Sequence, residues 1–175
     1  GFMQHAQLKL VASAFAVVLT TAVATDVFAQ QSPRVRWKMQ SAFGSQLPHL
    51  GPPGQQFEKD IMEMSDGRFE IKFHEPGALV PTLECFDAAS KGSVEACWTT
   101  PGFHAGKYPA LAFFTTVPFG PQIGEFMAWK YYGNGNKLEQ EIYAKHGLMS
   151  FDAYAIGPET SGWFKKQVDS LDSLK

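Results

Sequence analysis

The chain has 175 residues, of which 45% are hydrophobic and 18% charged, a composition typical of a globular protein. This length suits one domain, or one domain and part of another. The formal net charge of −2 argues against a nucleic-acid-binding protein, because such a protein needs a basic surface.

The first 29 residues are typical of a secretory signal peptide. Lys9 lies in a short polar start, an apolar run extends from Leu10 to Ala24, and Val27 and Ala29 precede a cleavage site. A membrane anchor is the alternative, but this run is shorter than the about 20 residues that cross a bilayer. We therefore expect a periplasmic protein whose mature form does not span a membrane.

Strands and helices alternate in the first part of the mature chain. Period-two patterns predict strands over residues 34–40, 68–74 and 93–98, with helices starting at Pro52 and running over 82–91. The apolar faces of these strands are Val35, Trp37 and Met39, then Phe69, Ile71 and Phe73, then Val94, Ala96 and Trp98. Short connections between such elements predict a parallel sheet with right-handed crossovers.

The second part of the chain begins with an aromatic, Pro- and Gly-rich segment, residues 99–121, which is typical of a cleft or an interface. Helices are predicted over Glu125–Tyr132 and Lys137–Lys145, and the spacing of Asn136 and Glu139 indicates a capping box. Residues 148–157 are predicted to form a further strand.

Catalytic and metal-binding motifs are absent from the sequence. It has no G-x-S-x-G, no P-loop and no dinucleotide fingerprint, and its five histidines lack the spacing of a zinc site. His49 and His74 are expected to be exposed. Export would allow Cys85 and Cys97 to form a disulfide, but two small buried thiols are the favoured interpretation.

A small-molecule pocket is predicted at the carboxyl ends of the strands, where open parallel sheets bind their ligands. The candidate apolar walls are Phe43, Val80, Trp98 and Phe103, and the candidate polar groups are Ser41, Thr99 and Thr100. Core packing is the alternative role for each aromatic residue, and for Trp98 the sequence favours neither role.

Three stretches of the chain resemble one family. They are WKMQSAFG, the long stretch from GRFEIKFHEPGALVP to FFTTVPFG, and PETSGWFKKQVDSLDSLK. They are similar to the DctP-type periplasmic solute-binding proteins of tripartite ATP-independent periplasmic (TRAP) transporters, over residues 34–175. The resemblance implies an α/β fold of the periplasmic binding protein type, type II-like, with two lobes joined by a hinge. Residues 1–29 would then be the signal peptide, 30–155 the first lobe, and 156–175 the hinge and the start of a truncated second lobe.

The resemblance also implies a function without catalysis. Members of this family bind a small organic acid, such as a 2-oxo acid, another monocarboxylate or a dicarboxylate, and deliver it to permease subunits driven by an ion gradient. Exported enzymes with catalytic residues beyond Lys175, or periplasmic sensor modules, are the alternatives.

The branch that binds 2-oxo acids sometimes holds Na⁺ or Ca²⁺ and needs no other cofactor. There, a Tyr commonly matches Phe103, while an Asn and a Gln match Ala155 and Glu159. Glu159 is therefore the candidate polar contact to the ligand or to a metal ion. The carboxylate-binding Arg of the family is expected beyond Lys175.

Overall fold

The computed structural model describes residues 33–157 and 162–174. Three strands and four α-helices alternate with 3-10 turns in the predicted order. The strands are β1 (Val35–Ser41), β2 (Phe69–His74) and β3 (Ala96–Trp98), and the helices are α1 (Pro52–Met64), α2 (Cys85–Ser90), α3 (Ile123–Tyr132) and α4 (Gly135–Ala144). The 3-10 turns are Thr82–Glu84, Pro101–His104, Pro109–Phe114 and Asp172–Leu174.

The three strands form one parallel sheet in the order β2-β1-β3, which confirms the predicted parallel topology. Met39 in the central strand is paired with Phe73 of β2 and Ala96 of β3. Because neighbouring side chains alternate between the two sides of a strand, this register gives the sheet two distinct faces. One face carries Trp37 and Met39, and the other carries Lys38 and Gln40.

Helix α1 packs on the face that carries Met39. Gly54 of α1 is buried, and a Cβ atom there would lie 2.9 Å from the Phe73 ring and 3.2 Å from the Trp98 ring. Only glycine therefore permits this close approach of helix and sheet. The Glu58 carboxylate accepts a hydrogen bond from the backbone N–H of Phe73 at 3.0 Å, which fixes α1 along β2.

A disulfide between Cys85 and Cys97 joins α2 to β3 on the opposite face, so the favoured interpretation of two free thiols is wrong. The two Cα atoms are 6.1 Å apart, within the range a disulfide spans. Cys97 and Gln40 are register partners, and this register brings Cys97 beneath the first turn of α2. Val94 packs with Cys85 in this cluster. It precedes β3, so its predicted place beside Trp98 is also wrong.

A second apolar core is built partly from the aromatic, Pro- and Gly-rich segment, residues 99–121. Phe86 of α2, Leu111 and Phe114 of the 3-10 segment, and Tyr143 of α4 form its buried centre. The Phe86 ring centroid lies 4.5 Å from that of Tyr108 and 5.6 Å from that of Tyr143. Residues 99–121 therefore contribute to the core as well as to the surface.

Helices α3 and α4 are joined through a buried ion pair rather than through the predicted capping box. Helix α4 begins at Gly135, and Asn134 at its N-cap makes no side-chain capping bond. Glu139 is buried and pairs with Lys130 of α3, so the predicted role of Glu139 with Asn136 is wrong. The buried pair forms in place of a surface cap because each of the two buried charges is neutralised by the other.

Residues 148–157 do not form the predicted strand, and no partner strand lies beside them among the described residues. His49 is exposed, as predicted. His74 is only half-buried, and its Nε2 atom is enclosed without a hydrogen-bond partner in the described part of the chain, so its predicted exposure is wrong. No helix within residues 33–157 and 162–174 is long and apolar enough to cross a membrane.

Candidate ligand-binding cleft

The carboxyl end of β1 is tied to that of β3. The backbone N–H of Ala42 donates to the carbonyl of Trp98 at 2.8 Å. The buried Ser41 hydroxyl accepts from the N–H of Phe43 at 2.9 Å and donates to its carbonyl at 2.7 Å, so Ser41 fixes the turn. The Phe43 ring then lies 5.7 Å from the ring of Phe103. Two of the predicted wall residues are thus brought together.

Trp98 anchors a second aromatic pair. Its ring stacks on Tyr154 with centroids 5.7 Å apart, and it also contacts Phe57 of α1 at 6.0 Å. The indole Nε1 of Trp98 and the hydroxyl of Tyr154 both donate to the carbonyl of Leu50, at 2.9 and 3.2 Å. Trp98 therefore both packs on the helix and contributes to the edge of the sheet where a ligand would bind.

Tyr154 was not identified from the sequence. The signal in the sequence was a large side chain with a hydroxyl in the segment predicted to form a further strand, residues 148–157. Tyr154 is 40% exposed, and burial raises the pKa of its hydroxyl, so this group is a neutral hydrogen-bond donor. Such a group can both pack against an apolar ligand and donate to an acceptor.

Val80 lies on the other face of the sheet, next to the disulfide cluster. The side-chain amide of Gln40 accepts from the N–H groups of Leu79 and Val80 at 2.8 Å and donates to the carbonyl of Val80 at 2.7 Å. One buried amide thus holds the loop after β2. The side chain of Val80 packs on this cluster, away from the Phe43–Phe103 pair.

Two threonine hydroxyls follow β3, and one of them has a hydrogen-bond partner among the described residues while the other has none. The Thr100 hydroxyl is 3.0 Å from that of Thr115 and shares a hydrogen bond with it. The Thr99 hydroxyl is buried and has no partner within residues 33–157 and 162–174. A buried polar atom without a partner costs free energy, and the Nε2 atoms of His74 and His104 are in the same state within the described residues.

Glu75 places a negative charge just after β2. Its carboxylate accepts from the backbone N–H of Ser45 at 3.0 Å, and hydrogen bonding to Ser45 lowers the pKa of Glu75. The group is therefore ionised at neutral pH. An anionic ligand near this loop needs compensating positive charge from a cation or from a basic side chain.

Glu159, the predicted ligand or metal contact, lies outside the described residues, and so do Pro158, Thr160 and Ser161. Trp163 and Phe164, which follow in the chain, are exposed within the described part. That part holds no group of three or more His, Cys, Asp or Glu side chains able to bind a metal ion.

An apolar cavity of about 470 Å³ lies elsewhere, between the 3-10 segment and helices α3 and α4. It is lined mainly by aromatic and aliphatic side chains, including Phe113, Phe114, Phe126, Trp129 and Leu138. None of the predicted site residues lines it. Phe43, Trp98 and Phe103 lie instead at the carboxyl edge of the sheet.

Relatives of known function share most of this chain. A monocarboxylate 2-oxoacid-binding periplasmic protein of Nostoc sp. strain PCC 7120 is 38% identical over 161 residues. The alignment covers 91% of this chain and 44% of the relative. The chain thus spans less than half the length of this curated relative.

Solved structures give the same result. A TRAP periplasmic solute-binding protein from Pseudoalteromonas atlantica T6c, with bound sodium and pyruvate, matches with a TM-score of 0.76 and 33% identity. Another from Colwellia psychrerythraea, with bound calcium and pyruvate, matches with a TM-score of 0.76 and 34% identity. Each match covers 81% of this chain and 43% of the solved chain, and together they confirm the expected fold.

The sequence profile of one family also matches this chain. Residues 46–175 match the profile described as bacterial extracellular solute-binding protein, family 7, or DctP. This match includes β2, β3 and all four helices, and the resemblance noted in the sequence is confirmed. The chain therefore belongs to family 7 of the bacterial extracellular solute-binding proteins, the DctP family.

Proposed function

We propose that the full-length protein is an extracytoplasmic receptor for a small organic acid, with 2-oxo acids such as pyruvate as the first candidates. The observation that carries this proposal is the presence of two aromatic pairs, Phe43–Phe103 and Trp98–Tyr154, at the carboxyl edge of the sheet. Solved relatives with the same fold hold pyruvate together with sodium or calcium.

The chemistry of the edge supports a small acid with one apolar end. Phe43 and Phe103 offer an apolar surface for a methyl group. The carboxylate itself needs a positive partner, because Glu75 is ionised nearby. In the family an Arg beyond Lys175 has this role, and a bidentate contact from such a group fits a carboxylate well.

We propose Na⁺ or Ca²⁺ as a further partner of the ligand, with the carboxylate of Glu159 among its oxygen ligands. Oxygen atoms are the ligands that these ions prefer. A cation between Glu159 and the ligand carboxylate also removes the repulsion between two anions. Val80 is retained in the proposed site only as part of the loop that Gln40 holds.

In the proposed mechanism the ligand stabilises a closed arrangement of two lobes. Residues 30–155 form the first lobe, and residues 156–175 form the hinge and the start of the second. A ligand that contacts both lobes shifts the equilibrium towards closure by its differential affinity for the closed state. The closed receptor then delivers its ligand from the periplasm to TRAP permease subunits.

The proposal is tested by thermal unfolding of the full-length protein with a panel of oxo, hydroxy and dicarboxylic acids. Each acid is added with Na⁺, with Ca²⁺, or with a chelator. A ligand at 100 times its Kd stabilises the folded state by about 2.7 kcal/mol, and the melting temperature rises accordingly. If no acid raises the melting temperature under any of these ionic conditions, the receptor function is wrong.

A further inference from the structure

A buried lysine is shared by two carboxylates between α3, α4 and the segment that follows them. Lys130 is 1% exposed, its Nζ atom contacts the Glu139 carboxylate, and it lies 3.0 Å from Oδ1 of Asp152. The same Nζ atom lies 5.5 Å from the centroid of the Phe114 ring. A charge buried this deeply is stable only when it is paired.

Glu139 alone is sufficient to neutralise Lys130. It is itself buried and belongs to the adjacent helix, so the two helices already form a closed pair of opposite charges. Asp152 differs, because its side chain is 30% exposed and belongs to no helix or strand. A second carboxylate on one cation adds little to charge balance. Its structural effect is to attach residue 152 to α3.

A second contact, between Gln140 of α4 and Ser150, holds the same segment as Asp152 does. The Gln140 amide donates to the carbonyl of Ser150 at 2.6 Å and accepts from its N–H at 3.2 Å. Residues 150 and 152 are therefore both held to the helix pair. Side-chain contacts to α3 and α4 therefore hold this segment, whereas a strand would be held by backbone hydrogen bonds to its neighbour.

Tyr154 is the next anchored residue along this segment. Because it lies only two residues after Asp152, its Cα atom can be at most about 7 Å from that of Asp152, so the anchor of Asp152 limits where Tyr154 can lie. Tyr154 then reaches Trp98, on which it stacks, and donates to the carbonyl of Leu50. One connected path thus joins the buried Lys130 to the aromatic wall at the carboxyl edge of the sheet.

We propose that Lys130 and Asp152 are positioning residues for ligand binding, and that they act by holding Tyr154 against Trp98. The inference rests on the proposed receptor function, because it treats the Trp98–Tyr154 pair as part of the ligand site. Neither Lys130 nor Asp152 touches the ligand. Both determine where one wall of the cleft stands before the ligand arrives, and such preorganisation increases affinity.

The test is a double-mutant cycle in the full-length protein, with the Kd for pyruvate measured by calorimetry. Asp152→Ala is chosen because Glu139 still neutralises Lys130 in that variant. We expect Asp152→Ala to weaken binding by about tenfold. Tyr154→Ala weakens it as well, and adding Asp152→Ala to Tyr154→Ala causes no further loss. Asp152→Asn, which keeps the oxygen acceptor, restores most of the affinity.

Glu63→Ala is the matched control, because this exposed carboxylate on α1 forms no ion pair or hydrogen bond within the described residues. Its Kd should equal that of the unchanged protein. Wild-type affinity in Asp152→Ala overturns the inference. The inference is also overturned if the loss of affinity in the double variant equals the product of the losses in the two single variants, because the two residues then act independently.

Hydrogen exchange without ligand separates failure of this inference from failure of the proposed function. If Asp152 positions Tyr154, Asp152→Ala accelerates exchange in residues 153–157, while Glu63→Ala does not. Unchanged exchange in residues 153–157 overturns the inference, whatever the affinity for pyruvate. Accelerated exchange in a protein that binds no acid supports the positioning role and removes only the receptor function.

Discussion

The disulfide between Cys85 and Cys97 provides a direct test of how this lobe is held together. The perturbation is the paired substitution Cys85→Ala and Cys97→Ala, which removes the bond and leaves no free thiol. The two residues are 12 apart in sequence, and the chain-entropy model gives about 3 kcal/mol for a loop of this size. Alanine suits the site because Cys85 is 2% exposed and packs against Ala88 and Val94.

The assay is thermal unfolding of the full-length protein with and without a reductant. We expect the paired variant to melt several degrees below the unchanged protein, because about 3 kcal/mol is a large share of a typical folding free energy. The reductant should lower the melting temperature of the unchanged protein alone. Alkylation of the denatured, unreduced protein should label neither cysteine. Two labelled thiols, or equal melting temperatures for protein and variant, would refute the reasoning.

Three further predictions concern charged groups. Lys130→Met should destabilise the protein by about 3–5 kcal/mol in denaturant unfolding, because it leaves Glu139 buried and unpaired, and a second change, Glu139→Leu, should recover most of the loss. Burial lowers the pKa of His104 below its ordinary value of 6.5, so its contribution to stability is present above pH 6.5 and is lost as the pH falls further. Replacing His104 with Phe should flatten the dependence of the unfolding free energy on pH below 6.5. Glu159→Gln should change the cation dependence of acid binding in calorimetry and leave the melting temperature of the free protein unchanged, and identical cation dependence would make Glu159 a bystander.

The sheet could be predicted from the sequence because its signal is local. In β2, apolar and polar residues alternate without interruption, and its buried residue Ile71 lies on the predicted face. The parallel order followed from the helices between the strands. Val94 shows the limit of such patterns, because alternation cannot locate the start of a strand. Since β3 begins only at Ala96, Val94 turns to the other face and joins the disulfide cluster.

Interactions between distant residues could not be predicted in the same way. Lys130 and Glu139 lie on different helices, and nothing in the sequence around either one signals a buried ion pair. Asn136 and Glu139 had the spacing of a capping box, but tertiary burial overrode this local preference. Tyr154 was missed because it contacts Leu50, which is 104 positions away along the chain.

The anchoring of the cleft walls differs between the sheet and the segment after α4. Phe43 and Trp98 belong to turns and strands fixed by backbone hydrogen bonds, and Gln40 and the disulfide secure the opposite face. Within residues 33–157 and 162–174, Tyr154 is held through side chains, by its own contacts and by the anchor at Asp152. Side-chain contacts of this kind open at a lower free-energy cost than a packed sheet. We therefore expect the segment that carries Tyr154 to exchange its amide hydrogens faster than the sheet does, and the contact of Asp152 with Lys130 to limit that exchange.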